Sequence, residues 1–178
     1  YVCHKYLPND VAASIGLACG VPLADIAGAL GSVQAMTGRL VVRELAGGVR
    51  LIDDTYNANP GSVKAAVATL CAYPGRRLLV LGHMAELGPT AAVLHREVGA
   101  FARQAGVDKL FATGECAADT VAGFGAGAQG FDDVDSLVNA LRPELAAGVT
   151  VLVKGSRSAR MERVVAALTG DTDAALAH

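Results

Sequence analysis

The feature that most constrains the fold is an alternation of short apolar segments and longer amphipathic segments after residue 60. Helical patterns occupy about 61–72, 90–105, 115–122, 134–146 and 158–168. Between them lie the strand-like runs "RLLVLG" (77–82), "KLFATG" (109–114), a weaker "AQGFDD" (128–133) and "VTVLVKG" (149–155). Near-continuous apolar strands joined by helices of this length are typical of parallel sheets. The pattern therefore predicts an α/β fold, a mostly parallel sheet with helices on both faces.

The region before this alternation has a different organisation. Residues 9–30 carry apolar positions at helical spacing, interrupted at Gly20 and Pro22, which suit a helix end and a helix start. The runs "LVVREL" and "VRLID" follow, separated by "AGG", which is typical of a β-hairpin. We therefore expect a helix pair and then a hairpin ahead of the alternating region.

Composition limits the class of protein. The net charge of -2 and the pI near 6.1 show no basic excess, so nucleic acid is not an expected partner. Although 52% of the residues are hydrophobic, no uncharged apolar run approaches the ~20 residues that cross a bilayer, and we expect no membrane insertion. Four scattered cysteines without a CxxC pair favour reduced thiols in a cytosol. Because the chain begins at Tyr1, we expect the later part of a longer protein.

Ligands of parallel sheets bind beyond the carboxyl ends of the strands, and the loops at those ends hold most of the unusual polar residues. They read "DDTYNANPGS", "GHMAELGPT", "TGEC" and "KGSRSAR". In the first loop, Asp53 or Asp54 could accept hydrogen bonds from a nucleotide ribose, while Asn57 and Asn59 offer donors and acceptors to a polar substrate. The alternative is that these side chains only form turns and a helix cap.

The last loop suits an anion. It places Lys154 at a strand end and Arg157 at a helix entrance, where backbone N–H groups and the helix dipole favour negative charge. Arg157 could bind a carboxylate through two parallel hydrogen bonds. Capping by Ser156 or Ser158, with a solvated basic face, is an equally open alternative.

The histidines do not predict a metal site. His83 directly follows a strand and could contact a substrate, although a lone histidine is more often a satisfied loop residue. His95 lies inside an amphipathic helix and is expected to be structural. Together with His4, these residues show no spacing typical of metal ligands, so we predict no protein metal site.

The glycine-rich segment "GFGAGAQG" resembles a phosphate loop only in composition. It precedes a strand, so its amides would lie at the wrong edge of the sheet, and we interpret it as a connection. No GxxxxGK[ST] motif occurs, and the chain has no phosphate loop of its own.

Four segments together resemble a known family: "LIDDTYNANPGSVKAAVATL", "VLGHMAELG", "HREVG" and "VLVKGSRSARME". Their order and spacing are similar to the C-terminal part of the MurF group of Mur ligases, from about Val2 to Leu168. The resemblance implies that residues 1–37 end a central ATPase domain and that 38–170 form a Rossmann-like C-terminal domain. The tail 171–178 is predicted to be disordered.

The resemblance implies an ATP-dependent ligase of peptidoglycan precursor synthesis in the bacterial cytoplasm. Enzymes of this group join D-Ala-D-Ala to UDP-MurNAc-tripeptide through an acyl phosphate. The phosphate loop and the Mg²⁺ ligands would belong to the central domain. This domain and an N-terminal domain would be the chain's partners. The chain alone is therefore expected to be inactive.

The resemblance also implies residues that face the nucleotide. Arg39 is similar to the arginine that reaches the ATP phosphates when the domains close, and Asp54 to the aspartate that contacts the nucleotide. Both are the catalytic candidates. Tyr56 and Asn57 lie in the loop beside them, and His4 matches a histidine of the central-domain segment near the nucleotide.

A second set of residues is implied to bind the substrate dipeptide. A cation and helix-start amides would suit its carboxylate, and amide side chains its polar groups. The candidates are Asn57, Asn59, His83, Lys154, Ser156 and Arg157.

Three departures from the family pattern support a different hypothesis. Lys5 and Pro8 stand where asparagines of the adenine pocket are expected, and His83 stands where the family usually has aspartate. The alternative is a degenerate Mur-ligase-like module that binds or interacts without catalysis. Another Mur ligase or a folylpolyglutamate-type ligase is disfavoured by "YNANP" together with "KGSRS".

Overall fold

The computed structural model describes residues 9–31 and 38–170. The chain divides into two compact units, residues 1–35 and 36–178. Predictions for His4, Lys5, Pro8 and the tail 171–178 lie outside the described residues. None of the helices in the described ranges is long and apolar enough to cross a membrane.

The first unit contains the predicted helix pair. Helix α1 is Asn9–Ala18 and helix α2 is Leu23–Gly31. Gly20 follows α1 with a φ of 76°, and Pro22 precedes α2, as the sequence predicts. Ile26 of α2 is buried against α1.

The second unit is built on a six-stranded sheet. Its strands are β1 (Val41–Leu45), β2 (Val49–Asp54), β3 (Arg76–Leu81), β4 (Lys109–Thr113), β5 (Ala128–Phe131) and β6 (Val149–Lys154). Their order is β1-β2-β6-β3-β4-β5, with β1 antiparallel to β2 and every other neighbouring pair parallel. The predicted hairpin and mostly parallel sheet are both confirmed.

Within residues 38–170, five α-helices cover the two faces of this sheet. They are α3 (Pro60–Cys71), α4 (Ala91–Ala105), α5 (Ala117–Phe124), α6 (Val134–Leu141) and α7 (Glu162–Thr169). One core contains residues of α3, α4 and α5, and the other contains residues of α6 and α7. Strand β6 contributes to both cores and is buried at all six positions, which explains why "VTVLVK" has no polar alternation.

Two predicted helix boundaries are wrong by several residues. The helix predicted at 134–146 ends at Leu141, because Pro143 cannot donate the next helical hydrogen bond, and a 3₁₀ turn follows. The helix predicted from 158 begins at Glu162. Residues Arg157–Ala159 form a 3₁₀ turn instead, and Arg160 has a left-handed φ of 51° that separates this turn from α7.

The connections between strands create a crevice at one edge of the sheet. The chain leaves β2 and β3 for helices on one face, whereas it leaves the intervening β6 for a helix on the other face. Loops that depart to opposite faces diverge, and in open α/β sheets ligands bind where this happens. The topology therefore places the candidate site at the carboxyl ends of β2, β6 and β3.

Candidate functional site

A cleft of about 940 Å³ occupies this edge of the sheet. Its walls are the loops that follow β2, β3 and β6, together with the start of α7. The lining residues are Asn57, Ala58, Asn59, Ala85, Glu86, Leu87, Ser156, Arg157, Ser158, Arg160, Glu162 and Arg163. The loop "TGEC" after β4 contributes none of them.

A buried ion pair anchors the loop after β2. The Lys154 ammonium lies 2.5 Å from Asp54 Oδ2 and also donates to the backbone carbonyl of Asn57, at 2.8 Å. Lys154 is only 2% exposed, so its charge is satisfied inside the protein. Burial raises the pKa of the Asp54 carboxyl above its ordinary value, and the hydrogen bond from Lys154 offsets part of that rise.

The segment before β1 runs along the same loop. The Gly38 carbonyl accepts a hydrogen bond from the Tyr56 amide at 2.9 Å, and the Leu40 amide donates to Asp54 Oδ1 at 3.3 Å. The Arg39 guanidinium lies 4.1 Å from the centre of the Tyr56 ring, a cation–π arrangement. The two nucleotide candidates Arg39 and Asp54 are therefore held on adjoining segments.

The structure distinguishes the two neighbouring aspartates. Asp53 is buried, and its Oδ1 accepts hydrogen bonds from the Thr55 hydroxyl at 2.7 Å and the Thr55 amide at 3.2 Å. This is the turn-forming role that the sequence left open. Asp54, with 13% of its side chain exposed, is the one that retains access to solvent.

The two asparagines serve local structure as well as lining the cleft. Asn59 caps α3 by accepting a hydrogen bond from the Ser62 amide at 2.8 Å, and the Ser62 hydroxyl accepts one from the Asn59 amide at 3.0 Å. This reciprocal pair is a capping box. Asn57 is exposed, and its side-chain oxygen accepts from the Ala58 amide at 2.8 Å. Neither the side-chain NH₂ group of Asn57 nor that of Asn59 makes a hydrogen bond to the described residues.

His83 connects the loops that follow β3 and β6. Its Nε2 lies 2.9 Å from the Ser158 hydroxyl, and its backbone carbonyl accepts a hydrogen bond from the Ser156 amide at 3.0 Å. The Ser156 hydroxyl, which is buried, lies 3.1 Å from that of Ser158. Neither serine side chain caps the turn Arg157–Ala159. The predicted capping role of Ser156 or Ser158 is therefore absent from this turn.

Two glycines at strand ends determine how closely the start of α7 approaches the sheet. A Cβ atom at Gly82 would lie 2.7 Å from Met161 Cγ, and one at Gly155 would lie 2.5 Å from the same atom. Met161 is fully buried in the space that these glycines leave. Its packing draws Arg160 and Glu162 to the rim of the cleft.

The cleft carries charges of both signs. Arg157 and Arg160 are exposed, and neither side chain forms an ion pair or hydrogen bond with residues 9–31 or 38–170. Glu86 is exposed on the opposite wall with a left-handed φ of 62°. Glu162 Oε2 is buried and has no hydrogen-bond partner within the part of the chain that the structure describes. A ligand with separate positive and negative groups would complement this arrangement.

Comparison with known proteins identifies the family. The family model described as "Mur ligase, glutamate ligase domain" matches residues 38–157. The chain belongs to the Mur ligase family. The match covers the whole of the sheet and the loops that line the cleft as far as Arg157.

Relatives within the Mur ligases point to one group. The UDP-N-acetylmuramoyl-tripeptide–D-alanyl-D-alanine ligase of Escherichia coli strain K12 is 42% identical over 169 residues, covering 93% of this chain and 37% of that ligase. A crystal structure of MurF from Acinetobacter baumannii has a TM-score of 0.81 at 31% identity, covering 92% of this chain and 36% of that one. The MurF ligase from Thermotoga maritima in complex with ADP has a TM-score of 0.73 at 28% identity, with coverages of 89% and 36%.

These similarities confirm the predicted resemblance to the MurF group and the predicted fold. The chain spans little more than a third of the length of these Mur ligases. The boundary between a central-domain segment and a C-terminal domain at residue 37 stays a prediction.

The structure brings some of the predicted site residues together. Four of them line the cleft: Asn57, Asn59, Ser156 and Arg157. His83 and Lys154 lie behind its wall, where they hold the lining loops in place. Just before Asn57 in the chain lie Asp54, at the end of β2, and Tyr56, whose ring contacts Arg39.

Sequence reasoning missed part of this Mur ligase cleft. Glu86, Arg160, Glu162 and Arg163 line it although the sequence analysis did not single them out. Glu86 lies in "GHMAELG", and Arg160 and Glu162 lie in "VLVKGSRSARME", so these segments themselves were recognised; Arg163 follows directly after the second segment. Their orientation depends on the left-handed residues Glu86 and Arg160, which no local pattern signals.

Within the described ranges, no cluster of three or more histidine, cysteine, aspartate or glutamate side chains could hold a metal ion.

Proposed function

We propose that this chain is the C-terminal part of an ATP-dependent ligase that joins D-Ala-D-Ala to UDP-MurNAc-tripeptide in peptidoglycan precursor synthesis. One observation carries the proposal: a cleft with charges of both signs lies at the carboxyl edge of the sheet in a chain 42% identical to a UDP-N-acetylmuramoyl-tripeptide–D-alanyl-D-alanine ligase. A free dipeptide is a zwitterion and complements such a cleft. The substrate, the reaction and the bacterial cytoplasm as its location are parts of this proposal.

The dipeptide carboxylate would bind at the loop after β6. Arg157 supplies a guanidinium that makes no hydrogen bond or ion pair with the described residues, and its planar donors match a carboxylate. Asn57 and Asn59 contribute side-chain NH₂ donors on the facing wall. The acidic residues of the cleft, Glu86 and Glu162, suit the dipeptide's amino group.

The nucleotide would lie on the other side of the loop after β2. Arg39 is a cation held against Tyr56, and Asp54 is a carboxylate held by Lys154 and the Leu40 amide, so both present a fixed charge. These residues fit a phosphate-bearing ligand with a polar ribose. ATP supplies the phosphoryl group that makes the tripeptide carboxylate reactive toward an amine.

The remaining machinery would belong to other domains of the same enzyme. We propose that residues 1–37 end its central ATPase domain, that 38–170 form its C-terminal domain, and that the Mg²⁺ ligands and the phosphate loop lie in the central domain. The tripeptide would be bound by the N-terminal domain. Closure of the C-terminal domain would then bring the amine to the activated carboxylate and exclude water.

Phosphate release tests this proposal. The longest natural polypeptide that contains this chain is given ATP, Mg²⁺ and UDP-MurNAc-tripeptide, with and without D-Ala-D-Ala. Dipeptide-dependent release is the expected result. Asp54→Asn should abolish it; because this variant keeps only one oxygen and leaves the Lys154 charge uncompensated, its folding is checked by circular dichroism. Asp132→Ala, in the exposed loop after β5, should leave phosphate release unchanged.

The opposite result favours the second candidate. A folded polypeptide that carries all three domains and releases no phosphate would be a degenerate module without catalysis. His83 is the departure from the family pattern that the structure describes, and its contact with Ser158 is the observation that supports this candidate. Reversion of Lys5 and Pro8 to asparagine would then be the first attempt to restore phosphate release.

A further inference from the structure

His95 makes a hydrogen bond that neither the fold of its own helix nor the proposed chemistry requires. It lies in α4, is 1% exposed, and its Nε2 is 2.9 Å from the backbone nitrogen of Met84 in the loop after β3. Its Nδ1 is 2.8 Å from the Ala91 carbonyl. An amide N–H only donates and a carbonyl only accepts, so Nε2 is the acceptor and Nδ1 carries the proton. Both ring nitrogens of a neutral imidazole are thereby satisfied.

The loop that His95 holds forms one wall of the cleft. Ala85, Glu86 and Leu87 follow Met84 directly and all three line the cleft. Glu86 adopts a left-handed φ of 62°, a conformation that a non-glycine residue keeps only when its surroundings impose it. The loop therefore needs anchors on both sides of this residue.

The anchors differ in what they join. On the β6 side, the His83 carbonyl accepts from the Ser156 amide, which ties the loop to the opposite wall. On the α4 side, the Met84 amide donates to the His95 ring within the helix, and the Thr90 hydroxyl at the start of α4 donates to the Leu87 carbonyl. Met84 is itself buried, so without His95 its amide would lose its partner where water cannot replace it.

We propose that His95 is a positioning residue for the dipeptide site. Through the Met84 amide, it fixes residues 83–87 so that this wall of the cleft is already in place when the dipeptide arrives. His95 touches no substrate, and its effect reaches the reaction only through the loop. This inference rests on the proposed ligase function, because it assigns the wall to dipeptide binding.

Two conservative variants separate positioning from simple core packing. In His95→Gln the terminal amide oxygen occupies the place of Nε2 and can still accept from Met84. The asparagine side chain of His95→Asn is one methylene shorter than that of glutamine. Its amide group therefore reaches the Ala91 carbonyl within the helix but not the Met84 amide. Both leave a polar amide in the same buried position, and a residue that merely fills the core would respond similarly to both.

The kinetic test uses the longest natural polypeptide that contains this chain. His95→Asn should raise the KM for D-Ala-D-Ala about tenfold, the size expected when one buried hydrogen bond is lost, while the KM for ATP stays constant. His95→Gln should retain a KM near that of the unchanged protein. Equal KM values for the two variants, or a parallel rise in the KM for ATP, would overturn the proposal. If His95→Asn does not fold, His95→Leu removes the same acceptor with an apolar side chain and should give the same tenfold rise.

A second measurement does not depend on activity. Hydrogen exchange of the Met84 amide, followed by NMR in the 178-residue chain, should be slow in the unchanged protein and in His95→Gln, and at least about tenfold faster in His95→Asn. If this pattern appears but the unchanged polypeptide shows no dipeptide-dependent turnover, the ligase proposal fails while the loop anchor stands. If Met84 exchanges equally in all three, the anchor itself is wrong.

Discussion

The two edges of the sheet use their charged side chains in opposite ways. At the amino edge, Glu144 accepts hydrogen bonds from Arg76 and Lys109, each at 2.5 Å. At the carboxyl edge, Arg157 and Arg160 point into a cleft and pair with nothing in residues 9–31 or 38–170. The charges at the amino edge therefore pair with each other, whereas these two arginines have no ion-pair partner within the described residues.

The carboxyl edge also contains an ion pair of a different kind. Lys154 and Asp54 are more deeply buried than the pairs at the amino edge, with side chains 3% and 13% exposed against 35% and 23% for Lys109 and Glu144. A pair at the surface contributes little, but removing one partner of a buried pair leaves an uncompensated charge. The carboxyl edge therefore contains charge in two forms, a buried pair that holds the loops and exposed arginines that line the cleft.

The largest effect is expected from breaking the buried pair. Lys154→Met keeps most of the length of the side chain but removes the ammonium that donates to the Asp54 carboxyl and to the Asn57 carbonyl. We expect a loss of about 3 kcal/mol in the free energy of unfolding, measured by urea denaturation at neutral pH. Adding Asp54→Asn should recover part of this loss, since no buried charge then remains.

Lys109→Met is the matched control at the amino edge. Its ammonium is more exposed, and Glu144 retains Arg76, so the loss should stay below about 1 kcal/mol. Similar losses for both methionine variants would show that the two edges do not differ in the way that the structure indicates.

A smaller effect separates binding from stability. If the proposed ligase function is right, Arg157→Ala should raise the KM for D-Ala-D-Ala about tenfold, because the proposed charge-assisted hydrogen bond to the dipeptide is lost. The same variant should change the free energy of unfolding by less than about 0.5 kcal/mol. Arg76→Ala should do the reverse, lowering stability by up to about 1 kcal/mol without affecting the KM. Steady-state kinetics and urea denaturation on the same two variants measure the KM and the free energy of unfolding. An unchanged KM in Arg157→Ala would remove that residue from the proposed site.

The smallest expected effect is a difference between the pKa values of the Asp54 and Glu144 carboxyl groups. Burial raises the pKa of Asp54, whereas hydrogen bonds from Lys109 and Arg76 lower the pKa of Glu144. The stabilisation from Glu144 is therefore present above the ordinary glutamate pKa and is lost as the pH falls through its lowered value. For Asp54 the sign is opposite: ionisation costs folding free energy, and this cost appears as the pH rises from the ordinary aspartate pKa through the raised one.

Carboxyl-carbon NMR titration of the 178-residue chain measures both values directly. Asp54 should titrate above the usual aspartate range and Glu144 below the usual glutamate range. Shifts of the same sign in the two residues would contradict the contrast between the edges.

Much of the fold could be predicted because it depends on local and periodic signals. The strands at 77–82, 109–114 and 149–155 and the hairpin around "AGG" were found from apolar runs and turn residues, and the helix pair from spacing. Errors occurred where a single residue overrode the periodicity. Pro143 ends α6 early, and left-handed Arg160 delays α7, although both stretches continue with apolar residues at helical intervals.

The site was predictable in its loops but not in the division of labour among their side chains. "DDTYNANP" and "KGSRSAR" were recognised as strand-end segments, yet nothing in them distinguishes Asp53, which closes a turn on Thr55, from Asp54, which pairs with Lys154. That distinction depends on a contact between residues 100 positions apart. The same long-range contact buries Lys154, so the sequence alone does not show that this lysine holds the loop instead of being exposed to a ligand.

Local patterns predict the strands, most of the helices, the parallel sheet and the edge at which its polar loops gather, because apolar periodicity and turn chemistry act over a few residues. Which polar groups are satisfied internally and which face the cleft depends instead on tertiary contacts. The order β2-β6-β3 brings distant loops together, and Met161 packs against Gly82 and Gly155 to place the charged start of α7 on the rim. Such contacts join residues far apart in the chain, and a local pattern carries no record of them.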